Sequence, residues 1–234
     1  MSKTSVVALA CLLAAATIPT HAARQPVHAR HGMAVAMEGQ AADVGVAVLQ
    51  KGGNAVDAAV AMGFAMAATH PFAGNLGGGG FMLIRFADGR STFIDFREMA
   101  PAKASRNMYL DAKGELTKDS VEGWRSSGVP GTVRGFQMAT EKYGKKSWAE
   151  NLAPAIQLAK GFPLSYALAE SLKGSRALGQ DPESKRIFQK NGAFFEVGVF
   201  RSGVCKAGCP PAWVRRCAMP AQRCSARWPT TALF

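Results

Sequence analysis

Apolar positions recur along this chain with two different periods, and the changeover falls near residue 80. Between Ala41 and Lys51, Val44, Val48 and Leu49 repeat at helical spacing. Gly52-Gly53 stops that helix, and Asn54 suits the cap of a second one. Asp57 falls in the first turn of this second helix, where a carboxylate complements the positive end of the dipole. From Ala58 to Ala68 the helix is apolar on every side, which predicts a central, buried position, and His70-Pro71 ends it. The period then shortens to two. Phe81-Met82-Leu83-Ile84-Arg85-Phe86 reads as a buried strand, and Ala87-Asp88-Gly89-Arg90 as a hairpin turn. Ser91 to Arg97 is the returning strand, with Thr92, Ile94 and Phe96 on one face and Phe93, Asp95 and Arg97 on the other.

The remaining pattern is mostly helical. A short first strand is predicted over Gly32 to Ala36. Pro130-Gly131-Thr132 precedes a helix from Val133 to Tyr143, and Ser147-Trp148-Ala149-Glu150 is a capping box for the next. Pro154 is expected to kink or restart that helix before Lys160-Gly161 closes it. Ser165 caps a further helix through Leu172, and Asp181-Pro182-Glu183 opens a last one. Helices alternating with a hairpin predict a layered α/β domain over residues 32–198.

Both ends differ from this domain. Lys3, the apolar run Val6 to Ala16 and the small residues around Thr20-His21-Ala22 form an export signal over residues 1–22, followed by a leader to residue 31. The apolar run is too short for a bilayer, so no membrane span is expected in the mature chain, which is assigned to a periplasm. Residues 199–234 are rich in Arg, Cys, Pro and Trp and contain no acid, which reads as an aberrant, disordered tail, the product of a shifted reading frame. The net charge of +12 is concentrated in these ends: nine basic residues and no acid lie in 1–30 and 199–234, leaving +3 for residues 31–198. The basic balance is therefore no argument for nucleic acid as a partner.

Candidate chemistry is sparse. Gly77 to Gly80 precede a strand, and no Lys-Ser/Thr follows, which is the wrong order for a phosphate cradle; close backbone packing is expected instead. His70 stands alone before Pro71 and reads as a helix-end packing residue. Cys205, Cys209, Cys217 and Cys224 lack the paired spacing of a zinc site, and Arg215-Arg216 beside Trp213 is a solvated segment. Arg97 is the sharpest candidate. A rigid fork of donors at the end of a strand suits a carboxylate, while Asp95 or Glu98 could instead engage it in an internal ion pair.

Several of these stretches, in order, resemble the gamma-glutamyltranspeptidases. They are Gly32-Met33-Ala34-Val35-Ala36, Lys51-Gly52-Gly53-Asn54-Ala55-Val56-Asp57-Ala58-Ala59, Asn75-Leu76-Gly77-Gly78-Gly79-Gly80-Phe81-Met82, Asp95-Phe96-Arg97-Glu98-Met99-Ala100-Pro101 and Gly128-Val129-Pro130-Gly131-Thr132-Val133. The resemblance covers residues 32–198, the front part of the family's large subunit. It implies an αββα sandwich of the N-terminal-nucleophile hydrolase type, here incomplete. It also implies transfer or hydrolysis of gamma-glutamyl groups from glutathione and related amides, with no metal or organic cofactor.

By the same resemblance Arg97 binds the alpha-carboxylate of the gamma-glutamyl group. The family's nucleophile is the threonine that begins its small subunit, and no residue here matches it. Thr132, Thr140, Thr230 and Thr231 are not preceded by small-subunit sequence. No catalytic residue is therefore assigned, the small subunit is a missing partner, and the chain alone is expected to be inactive. The competing expectation is a non-catalytic periplasmic module that binds gamma-glutamyl compounds through Arg97.

Overall fold

The computed structural model describes residues 28–74, 76–198 and 200–201. The signal expected over 1–22, most of the leader, Asn75, and Val199 and residues 202–234 of the expected tail, with its four cysteines, lie outside the described residues. Residues 28–32 contain no helix or strand, and the elements below belong to the unit that begins at Met33.

Two helices open this unit, α1 (Gly39–Gln50) and α2 (Ala55–Thr69). The Asn54 side chain accepts from the Val56 and Asp57 N–H groups, and Asp57 accepts in return from the Asn54 N–H, so a full capping box starts α2. α2 buries Val56, Val60, Phe64 and Ala65 and is packed by neighbours on several sides, as its all-round apolar sequence predicts. The stretch Met33 to Ala36 is irregular rather than a strand, with Val35 largely exposed; among the described residues no strand pairs with it.

The hairpin forms as expected from its turn. β1 (Phe81–Arg85) and β2 (Ser91–Asp95) are antiparallel with Leu83 opposite Phe93, and Gly89 takes φ 86°, which the turn requires. The Asp88 carboxylate accepts from the Arg90 N–H at 3.0 Å, fixing the turn locally. Two expectations fail here. The returning strand ends at Asp95, although the Phe96 and Gly80 peptides still exchange hydrogen bonds of 3.0 and 3.3 Å. The strands are also buried on one face only. Ile84 and Ile94 are buried, while Phe81, Leu83 and Phe93 are more than half exposed, because helices cover one side and no described residue covers the other.

Beyond an irregular strap with two single-turn 3-10 helices (Lys118–Ser120 and Trp124–Ser126) come α3 (Thr132–Tyr143) and α4 (Trp148–Lys160). The Ser147–Glu150 capping box is present. α4 runs through Pro154 without restarting. The ring removes one N–H bond, and burial of Leu152 and Ala155 on either side of it offsets that loss. Phe64, Ile84, Ile94, Phe136 and Leu152 form the main core, drawing together α2, the hairpin, α3 and α4.

A second core lies farther along. It gathers Phe162, Leu164, Leu168 and Leu172 around α5 (Tyr166–Gly174), followed by α6 (Pro182–Phe188). Two small antiparallel pairs complete it: β3 (Phe162–Pro163) with β6 (Phe200–Arg201), and β4 (Gln189–Lys190) with β5 (Ala193–Phe194).

One buried carboxylate ties the helices together. Asp57 is fully buried, and beyond its cap it accepts from the N–H groups of Lys145 and Lys146 and from the Asn151 amide. Burial pushes its pKa up, but the donated bonds from Asn54, Lys145, Lys146 and Asn151 together outweigh that and hold it below the usual value. The junction between α3 and α4 is thereby anchored to the first turn of α2.

Candidate carboxylate-binding site

Arg97 sits two residues past β2, at the open end of the hairpin. Its backbone N–H donates to the Asp95 carboxylate at 2.9 Å. Its side chain is 62% exposed, with Nε 3.2 Å from Glu98 Oε2 and the charge 5.8 Å from the centroid of the Phe81 ring. Both internal partners weighed from sequence are therefore engaged, but differently: Asp95 holds the backbone and Glu98 faces the charge. An exposed pair of this kind is worth less than about 1 kcal/mol, so Glu98 can yield to a ligand carboxylate or share the guanidinium with one. Among the described residues, no side-chain hydrogen bond uses the fork of Arg97, which leaves its donors available to solvent.

The backbone on either side of Arg97 is tied to neighbouring segments, and those segments are tied to each other. Phe96 pairs with Gly80, Met99 exchanges bonds of 3.1 and 2.8 Å with Val129, and the Gly78 carbonyl accepts from the N–H groups of Gly131 and Thr132 at 3.0 and 3.1 Å. That carbonyl satisfies donors at the start of α3, where Gly131 has no side chain to cap with. The glycine run thus serves close backbone packing, as expected from its position before a strand. The participation of Gly128 and Gly131 was not legible; the short spacing of glycines around Val129-Pro130 was the available signal.

His70 lies at the end of α2, buried, with Nδ1 3.4 Å from the buried Glu38 Oε1 and its ring against Phe72. It is a helix-end packing residue with a carboxylate neighbour that the sequence reading did not anticipate. Thr132 and Thr140 are buried in α3, at its start and in its body. Thr230 and Thr231 lie outside the described residues. A groove of about 750 Å³ runs between α1 and α4, away from Arg97; it is lined by residues such as Asp43, Val48, Lys51 and Glu150 and by no Ser, Thr, Cys or His. No cluster of metal-ligating side chains occurs among the described residues.

The family model for gamma-glutamyltranspeptidase matches residues 41–201, most of the chain, including Arg97 and the turns around it. The chain belongs to the gamma-glutamyltranspeptidase family. The glutathione hydrolase proenzyme of Escherichia coli K12 is 52% identical over 177 residues, 74% of this chain. This gamma-glutamyltranspeptidase-family chain spans only 30% of that relative's length. Among solved structures, the Helicobacter pylori gamma-glutamyltranspeptidase superposes with a TM-score of 0.73 at 42% identity, covering 76% of this chain and 52% of that one. The Pseudomonas nitroreducens gamma-glutamyltranspeptidase complexed with L-DON gives 0.70 at 36%, covering 82% and 54%. The fold is accordingly part of the layered α/β architecture of these N-terminal-nucleophile hydrolases. No helix among the described residues is long and apolar enough to cross a membrane.

Proposed function

We propose that this chain supplies the substrate-gripping side of a gamma-glutamyl site and none of the bond-breaking side. Arg97 takes the alpha-carboxylate of a gamma-glutamyl compound such as glutathione. The observation that carries this reading is an arginine flanked on both sides by backbone pairs while its side chain stays largely open to solvent, in a chain of established family.

The reaction this grip serves is attack of a threonine hydroxyl on a gamma-glutamyl amide. The threonine's own alpha-amino group takes the proton and passes it to the departing amine as the amide C–N bond breaks, and water or another amine then resolves the resulting glutamyl ester. Thr132 and Thr140, the described threonines weighed for that role, are buried within α3, and no turnover is expected of this chain alone. An oriented carboxylate grip without an attacking group gives no proximity advantage. Export to a periplasm by residues 1–22 completes the reading.

Two measurements test it. With a chromogenic gamma-glutamyl amide, the purified chain shows no release above a protein-free blank; sustained release refutes the division of labour. In calorimetric titration with L-glutamate, Arg97→Ala weakens binding at least about tenfold, and Arg97→Lys weakens it less, because an ammonium keeps the charge but loses the planar fork. Equal affinity in all three proteins refutes the role of Arg97.

A further inference from the structure

We propose that Gly79 and Gly131 are positioning residues: two glycines from separate turns that clamp the Phe96–Glu98 backbone and so preset where Arg97 stands. The inference rests on the carboxylate-binding reading of Arg97 and adds the device that orients it. A Cβ on Gly79 would lie 2.5 Å from the Phe96 carbonyl oxygen, 2.6 Å from the Glu98 nitrogen and 2.8 Å from the Arg97 carbonyl carbon. A Cβ on Gly131 would overlap the same Phe96 oxygen and lie 2.8 Å from its carbonyl carbon. These contacts are with backbone, which cannot rotate out of the way as a side chain can.

Neither glycine has a positive φ, and Gly131 sits at −110°. What each provides is space rather than a left-handed turn. The two turns are also bonded to each other, through the Gly78 carbonyl and the Gly131 and Thr132 N–H groups. The peptide of Arg97 therefore lies in a slot whose walls are joined. Because the guanidinium itself has so little packing, the slot sets its reach.

Gly63 gives the contrast. A Cβ there would lie 2.6 Å from a ring carbon of Phe136, deep in the helical core, and no atom of the Arg97 peptide is among its nearest neighbours. An exchange at Gly63 costs stability and reaches the slot only indirectly, through the Phe136 ring, which meets the Phe96 side chain edge-on and not its backbone.

The test uses nitrogen-15 spectra of the full chain, with the Arg97 Nε–Hε signal assigned by its loss in Arg97→Lys. That signal reports both the Phe81 ring and the Glu98 carboxylate. In Gly79→Ala and in Gly131→Ala the signal shifts or broadens and L-glutamate affinity falls at least about tenfold. In Gly63→Ala the midpoint of unfolding drops, but the signal keeps its position and affinity changes less than about twofold. An unchanged Arg97 signal in both slot variants overturns the clamp.

Should the signal move while L-glutamate binds Arg97→Lys and Arg97→Ala as it binds the parent, the clamp stands and the carboxylate reading falls. If the slot variants do not fold, hydrogen exchange on the unaltered chain decides. Phe96, Met99 and Thr132 amides exchange together, at least about 100-fold slower than an unfolded peptide. Exchange of Phe96 and Met99 within about tenfold of unfolded rates overturns the clamp.

Discussion

Around Asp57, three backbone N–H groups and one amide converge on a carboxylate that water does not reach. Around Arg97 the flanking backbone is also tied, yet the side chain is 62% exposed and, among the described residues, meets Glu98 and the face of Phe81. The first region uses its charge to join segments that are 88 and 89 residues apart in sequence. The second holds its charge out. A charge saturated by donors serves the fold, whereas one kept on a rigid mount with its donors unused is available to a ligand. The same contrast appears across one hairpin: Ile84 and Ile94 face the core while Phe81, Leu83 and Phe93 face outward.

The largest effect expected from this contrast is at Asp57. Asp57→Ala strips three partly buried backbone donors and the buried Asn151 amide of their acceptor, and lowers unfolding stability by about 4 kcal/mol in urea titration. A loss under about 1 kcal/mol would mean that water or a neighbour replaces the carboxylate, and the junction would not be the anchor described. Next come the two faces of the hairpin. Ile94→Ala opens a cavity against Phe136 and its neighbours and costs about 3 kcal/mol. Leu83→Lys, on the exposed face, leaves the unfolding midpoint nearly unchanged and reduces self-association in sedimentation velocity. If the two exchanges cost the same, something covers the outer face.

Acid tests the saturated region more gently. Asp57 and Glu150 both have pKa values below their usual ones. Glu150 is brought from 4.5 down to about 2, first by the Ser147 backbone N–H and then by the Ser147 hydroxyl and Lys146. A carboxyl whose pKa is depressed in the folded chain contributes its full stability above the unfolded value, and loses it as pH falls through the folded value. For Glu150 the loss runs from pH 4.5 to about 2. The unfolding temperature should therefore fall with acid more steeply in the parent than in Glu150→Gln, which starts lower and has no such proton to take up. Parallel curves would remove Glu150 as a contributor.

Much of this was legible because it is local. The Asp88-Gly89 turn, the Asn54 and Ser147 caps and the Asp181-Pro182 start are each decided within four residues, and each is present. The irregular stretch at Met33 to Ala36 and the short end of β2 depend instead on whether a partner strand is at hand, which no local pattern records. The same holds for the outer face of β1, where Phe81 and Leu83 read as buried because their chemistry is that of a core. Arg97 was legible as a candidate, but its clamp was not. Gly78 and Gly131 lie 53 residues apart, and only folding brings the carbonyl of one to the N–H of the other. Asp57 was legible as a first-turn acid; its bonds to Lys145 and Lys146 are equally remote.

The smallest expected effect is the most discriminating. Arg97→Ala removes one exposed ion pair and one cation–π contact with an exposed ring, and the backbone clamp does not depend on the side chain. Screening by solvent limits that loss to about 0.5 kcal/mol in unfolding stability. If Arg97 were instead a structural residue like Asp57, its removal would leave Glu98 unpaired against the Gly128 turn and cost several times more. A near-zero stability change combined with loss of L-glutamate binding separates a mounted ligand group from an internal tie. A large stability change would place Arg97 with Asp57 among the residues that hold the fold.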